Sequence, residues 1–276
     1  GSLVRSLQGH QTSVLGVAFS HDDTLLASAS ADTTVRVWSP RDGSFLRSLK
    51  GHQYSVRSVA FSHDNALLAS ASNDGTVRLW GPRDGSFLRS LQGHQASVLG
   101  VAFSHDDTLL ASGSDDATVR TWNPRDGSLL RFRKGHQGSV WSVAFSHDDA
   151  LLASASDDKT VGLWSLRDGF LVRSLEGHQT SVVSIAFSHD GTLLASASDD
   201  NTVRLWSPRD GSLLRSLEGH RAFVRDVAFS HDDTLLADPW AEHRDPESAD
   251  PAAARALLAA LAEDLGLPLV ADREAA

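Results

Sequence analysis

Read for apolar and polar positions, most of the chain repeats one pattern. In residues 177–206, GHQTSVVSIAFSHDGTLLASASDDNTVRLW, the run 181–188 alternates Val182, Ser184, Ala186 and Ser188 with Val183, Ile185 and Phe187, the two-residue period of a strand. Both faces are small or apolar, which predicts a strand covered on both sides, as in a sheet stacked between two others. Ser188-His189-Asp190-Gly191 then predicts a turn, with glycine where a positive φ is wanted. The other copies carry Asp23, Asn65, Asp107, Asp149 and Asp233 there, the residue types that best tolerate that conformation after glycine. LLASAS (193–198) reads as a second strand, Asp199-Asp200-Asn201 as a turn, and TVRLW (202–206) as a third strand with Val203 and Leu205 on one face. Pro208-Arg209-Asp210-Gly211 turns the chain into a fourth strand, SLLRSLE. Gly, Pro and Asp break the unit too often for long helices.

The unit recurs every 42 residues, marked by His10, His52, His94, His136, His178 and His220 and by Trp38, Trp80, Trp122, Trp164 and Trp206. Four short antiparallel strands per period make one blade, so the expected fold is an all-β propeller. Complete units start at Gly9, Gly51, Gly93, Gly135 and Gly177. A sixth starts at Gly219, runs through FVRDVAFS (223–230) and reaches Ala237, after which Asp238-Pro239-Trp240 stands where Ser-Ala-Ser is expected. Residues 1–7, GSLVRSL, match the fourth strand of a blade whose first three strands are absent from the N-terminus. Residues 1–237 are therefore read as one propeller of six blades, the last irregular.

From residue 238 the composition shifts to Ala, Asp, Glu and Pro, an acidic tail of residues 238–276. Asp250 as cap, Pro251 at the first helical position and a closing Gly266 predict a helix over about 251–265, with Leu257, Leu258, Leu261 and Leu265 as its apolar stripe. LPLVAD (267–272) is a candidate for the missing third strand of blade six. Without it that blade exposes unpaired edges, open to the tail, to another chain or to self-association.

Charge and composition narrow the classes. The tail holds nine acidic and three basic residues, so −6 of the net charge of −10 lies there and the repeats carry −4. Nucleic-acid binding needs a basic face, which neither part offers. With no cysteine there is neither disulfide, thiolate metal site nor cysteine nucleophile. No apolar run approaches the ~20 residues of a membrane span and no leader precedes the first repeat, so a soluble, cytoplasmic protein without membrane partner is expected. The Gly-Ser start and the lack of methionine fit a piece of a longer protein.

With its opening Gly-His and a tryptophan closing the third strand over five complete copies, the chain resembles the Trp-Asp (WD) repeat β-propeller family over residues 1 to about 237. The resemblance implies a buried hydrogen-bonded quartet in each blade. Here the positions are His10, Ser28, Asp32 and Trp38; His52, Ser70, Asp74 and Trp80; His94, Ser112, Asp116 and Trp122; His136, Ser154, Asp158 and Trp164; and His178, Ser196, Asp200 and Trp206. A closed chain gives each buried polar group a partner, so these histidines are structural. Five identical His-Asp pairs spread around a ring do not make one active site. Ser39, Gly81, Asn123, Ser165 and Ser207 stand where the family has the aspartate of its Trp-Asp pair, outside the quartet. A second series, His21, His63, His105, His147, His189 and His231, lies in Ser-His-Asp turns, an exposed rim whose sharper alternative is weak divalent-metal binding. Adjacent Ser, His and Asp cannot form a triad, and no phosphate loop or zinc signature is present, so no catalytic residue, metal or cofactor is expected.

The resemblance also implies that partners touch the top face, five residues beyond each Gly-His histidine. There the chain has Leu15, Arg57, Leu99, Trp141, Val183 and Arg225. Flanking positions add Tyr54 and Phe223, and, just before the quartet aspartate, Asn73, Asp115, Asp157 and Asp199. Mapped on a closed ring, Arg57 and Arg225 flank blade one while the aspartates fall on blades three to five, and Trp141 and Phe223 supply aromatic anchors. The expected function is a non-enzymatic scaffold for a protein or peptide partner. Alternatives are a sensor propeller from a larger signalling protein, and a metal-dependent sugar binder or propeller enzyme using the His-Asp turns.

Overall fold

The computed structural model describes residues 6–230, 232, 233, 236 and 237. Their strands form five four-stranded antiparallel sheets, each in chain order from first to fourth strand, and one two-stranded sheet, without a helix. This is an all-β propeller architecture. In blade one the strands are Val14–Phe19, Leu26–Ser30, Val35–Trp38 and Phe45–Leu49, and blades two to five repeat them with ends shifted by at most one residue. No helix among the described residues is long and apolar enough to cross a membrane.

The two-faced apolar pattern has its use between blades. Ala27, Ala29, Val35, Val37 and Leu49 of blade one pack against Val56, Val59, Phe61, Leu68 and Trp80 of blade two. Alanines on the second strand leave room for the next blade's larger residues, and the same arrangement recurs between blades two and three and between four and five. Blade five ends on Val224 and Val227, which cover Ala195, Ala197, Val203 and Leu205.

Both ends of the array depart from the repeat. The expected strand over 223–230 is paired only at Ala228–Phe229, with Leu236–Ala237. The sequence counterparts of Ser196, Ala197 and Ser198 are Asp238, Pro239 and Trp240, and a proline has no N–H to give the ladder. At the other end, Val17 and Phe19 are 64% and 58% exposed, whereas their counterparts Val59 and Phe61 are 7% and 4% exposed. The face by which each later blade meets its predecessor is thus open in blade one. Of the expected strand over residues 1–7 only 6 and 7 are described, and they are irregular. Residues 1–5, His231 and the tail with its expected helix at 251–265 lie outside the described residues.

Candidate functional site

Each complete blade holds its quartet in one arrangement. Trp38, Trp80, Trp122, Trp164 and Trp206 donate their indole N–H to the hydroxyls of Ser28, Ser70, Ser112, Ser154 and Ser196 at 2.8–2.9 Å. The same hydroxyls lie 2.7–2.8 Å from Nε2 of His10, His52, His94, His136 and His178. Nδ1 of each ring lies 2.8–2.9 Å from Oδ2 of Asp32, Asp74, Asp116, Asp158 and Asp200. The indole only donates and the carboxylate only accepts, so Nδ1–H goes to aspartate and, with the ring neutral, serine gives its hydrogen to Nε2. A neutral imidazole satisfies this chain. Burial lowers the pKa of His94 and His178, outweighing the adjacent Asp116 and Asp200.

Burial also opposes ionisation of the aspartates, but their donors win. His94, the Thr118 hydroxyl and the Gln95 N–H hold Asp116 well below the usual carboxylate range. The Thr202 hydroxyl, the Gln179 N–H and His178 bring Asp200 down to about 2. Opening Gly51 sits at φ 153°, and a Cβ there would collide with the Arg78 guanidinium. With donors and acceptors used up inside each blade, the quartet has no free group to offer a substrate.

The positions five beyond the histidines share a feature that periodicity does not reveal. In all five blades the register slips on the first strand. Val14 pairs with Ser30 and Gly16 with Ala29, so Leu15 is skipped, and the same slip skips Arg57, Leu99, Trp141 and Val183. Each is the extra residue of a β-bulge, which frees its side chain from the inter-blade packing rules and re-aims it. Only knowledge of both paired strands exposes such a mismatch, so a single strand's pattern could not have found it.

These side chains are tied to their neighbours. Arg57 donates from Nε to Asn73 Oδ1 at 2.9 Å, and Trp141 donates from Nε1 to Asp157 Oδ1 at 2.6 Å. Arg225 Nε stands 3.1 Å from Asp199 Oδ1 and its guanidinium lies over the Phe223 ring. Burial raises the pKa of Asp199 in spite of Arg225. Tyr54 and Phe223 are 64% and 57% exposed, Asp115 is exposed, Leu15 lies at the exposed end of blade one, Val183 is half-buried and Leu99 is buried. The first-strand bulges and the second-to-third-strand turns share one end of the sheets.

The second histidine series gathers at the opposite end. The rings of His21, His63, His105, His147 and His189 follow one another with centroid distances of 4.0, 4.6, 4.5 and 6.3 Å. The left-handed Asp or Asn of four turns, Asn65, Asp107, Asp149 and Asp233, reaches the preceding blade. Asn65 accepts from the His21 N–H, Asp107 from His63 and Asp64, and Asp149 from His105 and Asp106. Gly191 has no side chain for such a link, and there the row of rings opens to its widest spacing. Among the described residues no group of three or more His, Asp or Glu is arranged to hold a metal ion.

Stacked antiparallel blades, each stitched by a Trp-Ser-His-Asp chain, define a repeat propeller. The chain belongs to the family described as WD domain, G-beta repeat, whose model matches residues 1–39, 43–81, 85–123, 127–165, 169–207 and 211–237. No curated protein matches the chain.

Proposed function

We propose that this chain is a non-enzymatic interaction scaffold that takes a peptide or loop of a protein partner across the end bearing the first-strand bulges. The observation that carries the reading is the contrast between near-identical blades and one set of bulge residues that differs in size and charge, from Leu15 and Val183 to Arg57 and Trp141. Packing asks the same of every blade, while a partner crossing the ring does not. Exposed Tyr54 and Phe223 supply apolar contact, Arg57 and Arg225 positive charge, and Asp115, Asp157 and Asp199 negative charge.

Selection of binding peptides from a random library, followed by titration against Trp141→Ala and Arg57→Glu, tests this. Both variants are expected to lose at least about tenfold in affinity with Tm shifted by no more than about 2 °C, as for half-exposed positions outside the core. Selected peptides that bind both variants as tightly as the parent would remove the assignment.

A second reading concerns association of copies. The exposed face of blade one, with Val17 and Phe19, supports self-association through that blade. Sedimentation velocity should show a dimer or larger species that Phe19→Asp converts to monomer; a monomeric parent chain refutes it.

A further inference from the structure

Because the blades are near copies, a residue that breaks the pattern inside the packing between them requires its own reason. Three such breaks meet at one place. Val37, Leu79, Leu163 and Leu205 on the third strands are fully buried, and their counterpart in blade three is Thr121. Leu49, Leu91, Leu175 and Leu217 on the fourth strands correspond there to Arg133. Pro40, Pro82, Pro124 and Pro208, after the third strands, correspond in blade four to Leu166. Thr121, Arg133 and Leu166 line one cleft of about 370 Å³ between blades three and four, together with Leu109, Leu130 and Arg131.

Arg133 is 4% exposed. Its Nη1 donates to the Thr121 hydroxyl at 3.2 Å, and its buried Nε has no hydrogen-bond partner. Burial, and then the like charge of Arg131, push its pKa down to about 10, with no carboxylate opposing them. Four sister blades fill this position with leucine, so stability alone does not call for a guanidinium here. A buried cation beside a second cation, with an unused donor, is a site short of an anion.

We propose that this cleft binds a carboxylate carried on a branched aliphatic body. The planar forks of Arg133 and Arg131 suit the two oxygens of a carboxylate, the Thr121 hydroxyl adds a further polar contact, and Leu109, Leu130 and Leu166 receive the apolar part. A short branched-chain acid and a leucine-like free C-terminus share this chemistry. Thr121 pairs with Arg131 one residue from the Leu110–Trp122 pair, at the histidine-row end of blade three, where the fourth strand skips Leu130, and away from the first-strand bulges. The site therefore stands independently of the peptide-binding face.

Calorimetric titration of the full chain with 4-methylpentanoate, N-acetyl-leucine, 4-methylpentanamide and inorganic phosphate tests it. One saturable site for a carboxylate is expected, with the neutral amide at least about tenfold weaker. The tighter of the two carboxylates identifies the source. Thr121→Leu/Arg133→Leu, which restores the sister-blade residues, should keep or raise Tm and lose at least about tenfold in affinity. Arg133→Met serves as a second variant with the same expected loss. Failure of both carboxylates to bind, equal binding of the amide, preference for phosphate, or undiminished affinity in a folded variant each overturns the proposal.

Discussion

Removing one hydroxyl from the centre of a blade tests the role assigned to the quartet. Ser70 is fully buried, and its oxygen is 2.8 Å from both Trp80 Nε1 and His52 Nε2, which are themselves shielded from water. Ser70→Ala strips both of their partner without making room for much else. A buried polar group left unpaired costs about 1–3 kcal/mol, so two such groups, with some relaxation, should cost about 2–4 kcal/mol. Ser44→Ala is the control, because Ser44 makes a similar hydroxyl contact, 2.8 Å to Asp42, on the exposed fourth-strand turn. Its loss should stay within about 0.5 kcal/mol. Urea unfolding of both variants, with the slope against denaturant unchanged, measures the difference. If Ser70→Ala costs no more than Ser44→Ala, the buried chain does not hold the blade together and the structural reading of the histidines falls.

Acid should weaken the fold in two stages. Buried His94 and His178 have folded pKa values below the ordinary 6.5, so their stabilisation is complete above pH 6.5 and is lost as pH falls towards the folded values. Asp116 and Asp200 are depressed from 3.8, so theirs persists through that window and is lost only as pH falls below it. Thermal scans from about pH 8 to about pH 3 should show a first fall in Tm below 6.5 and a second in the acid range, and a flat profile between about 7 and 5 contradicts the buried neutral rings. At the second-to-third-strand turn, Thr33 holds φ 70° where blade two has Gly75 at 78°. Relief of that strain, about 1–2 kcal/mol for an L-residue, against the entropy of a new glycine should leave Thr33→Gly about 0.5–1 kcal/mol more stable, and a lower Tm refutes it.

Sequence periodicity made the blades legible because each strand answers to one local demand. Val182, Ile185 and Leu194 must be apolar wherever a neighbour stacks on them, and the spacing of His178, Ser196, Asp200 and Trp206 follows once the strands are antiparallel. Features that arise between strands or between blades were not legible. The bulge that skips Trp141 is a mismatch of two strands, and the reach of Asp107 to the His63 N–H joins residues 44 apart. Leu171–Leu175 and Leu129–Lys134 are both fourth strands, largely exposed along their length. Only the fold shows that one inward position, leucine at 175, is arginine at 133.

That distinction also decides where function can reside in such a molecule. A side chain shared by every blade answers to packing, and the quartet shows how completely its polar groups are consumed by it. Recognition has to use what the repeat leaves unconstrained, and two such places stand out among the described residues. One is the bulge, where an extra residue escapes the ladder and varies freely among blades. The other is a site where the core rule is broken next to the fourth strand's own register slip, as Thr121 and Arg133 break it. The first follows from backbone geometry present in every complete blade, whereas the second belongs to one blade and carries an uncompensated charge. A bulge residue can change at little cost in stability. A buried guanidinium in place of leucine is costly, which makes blade three the sharper point at which to test what this propeller binds.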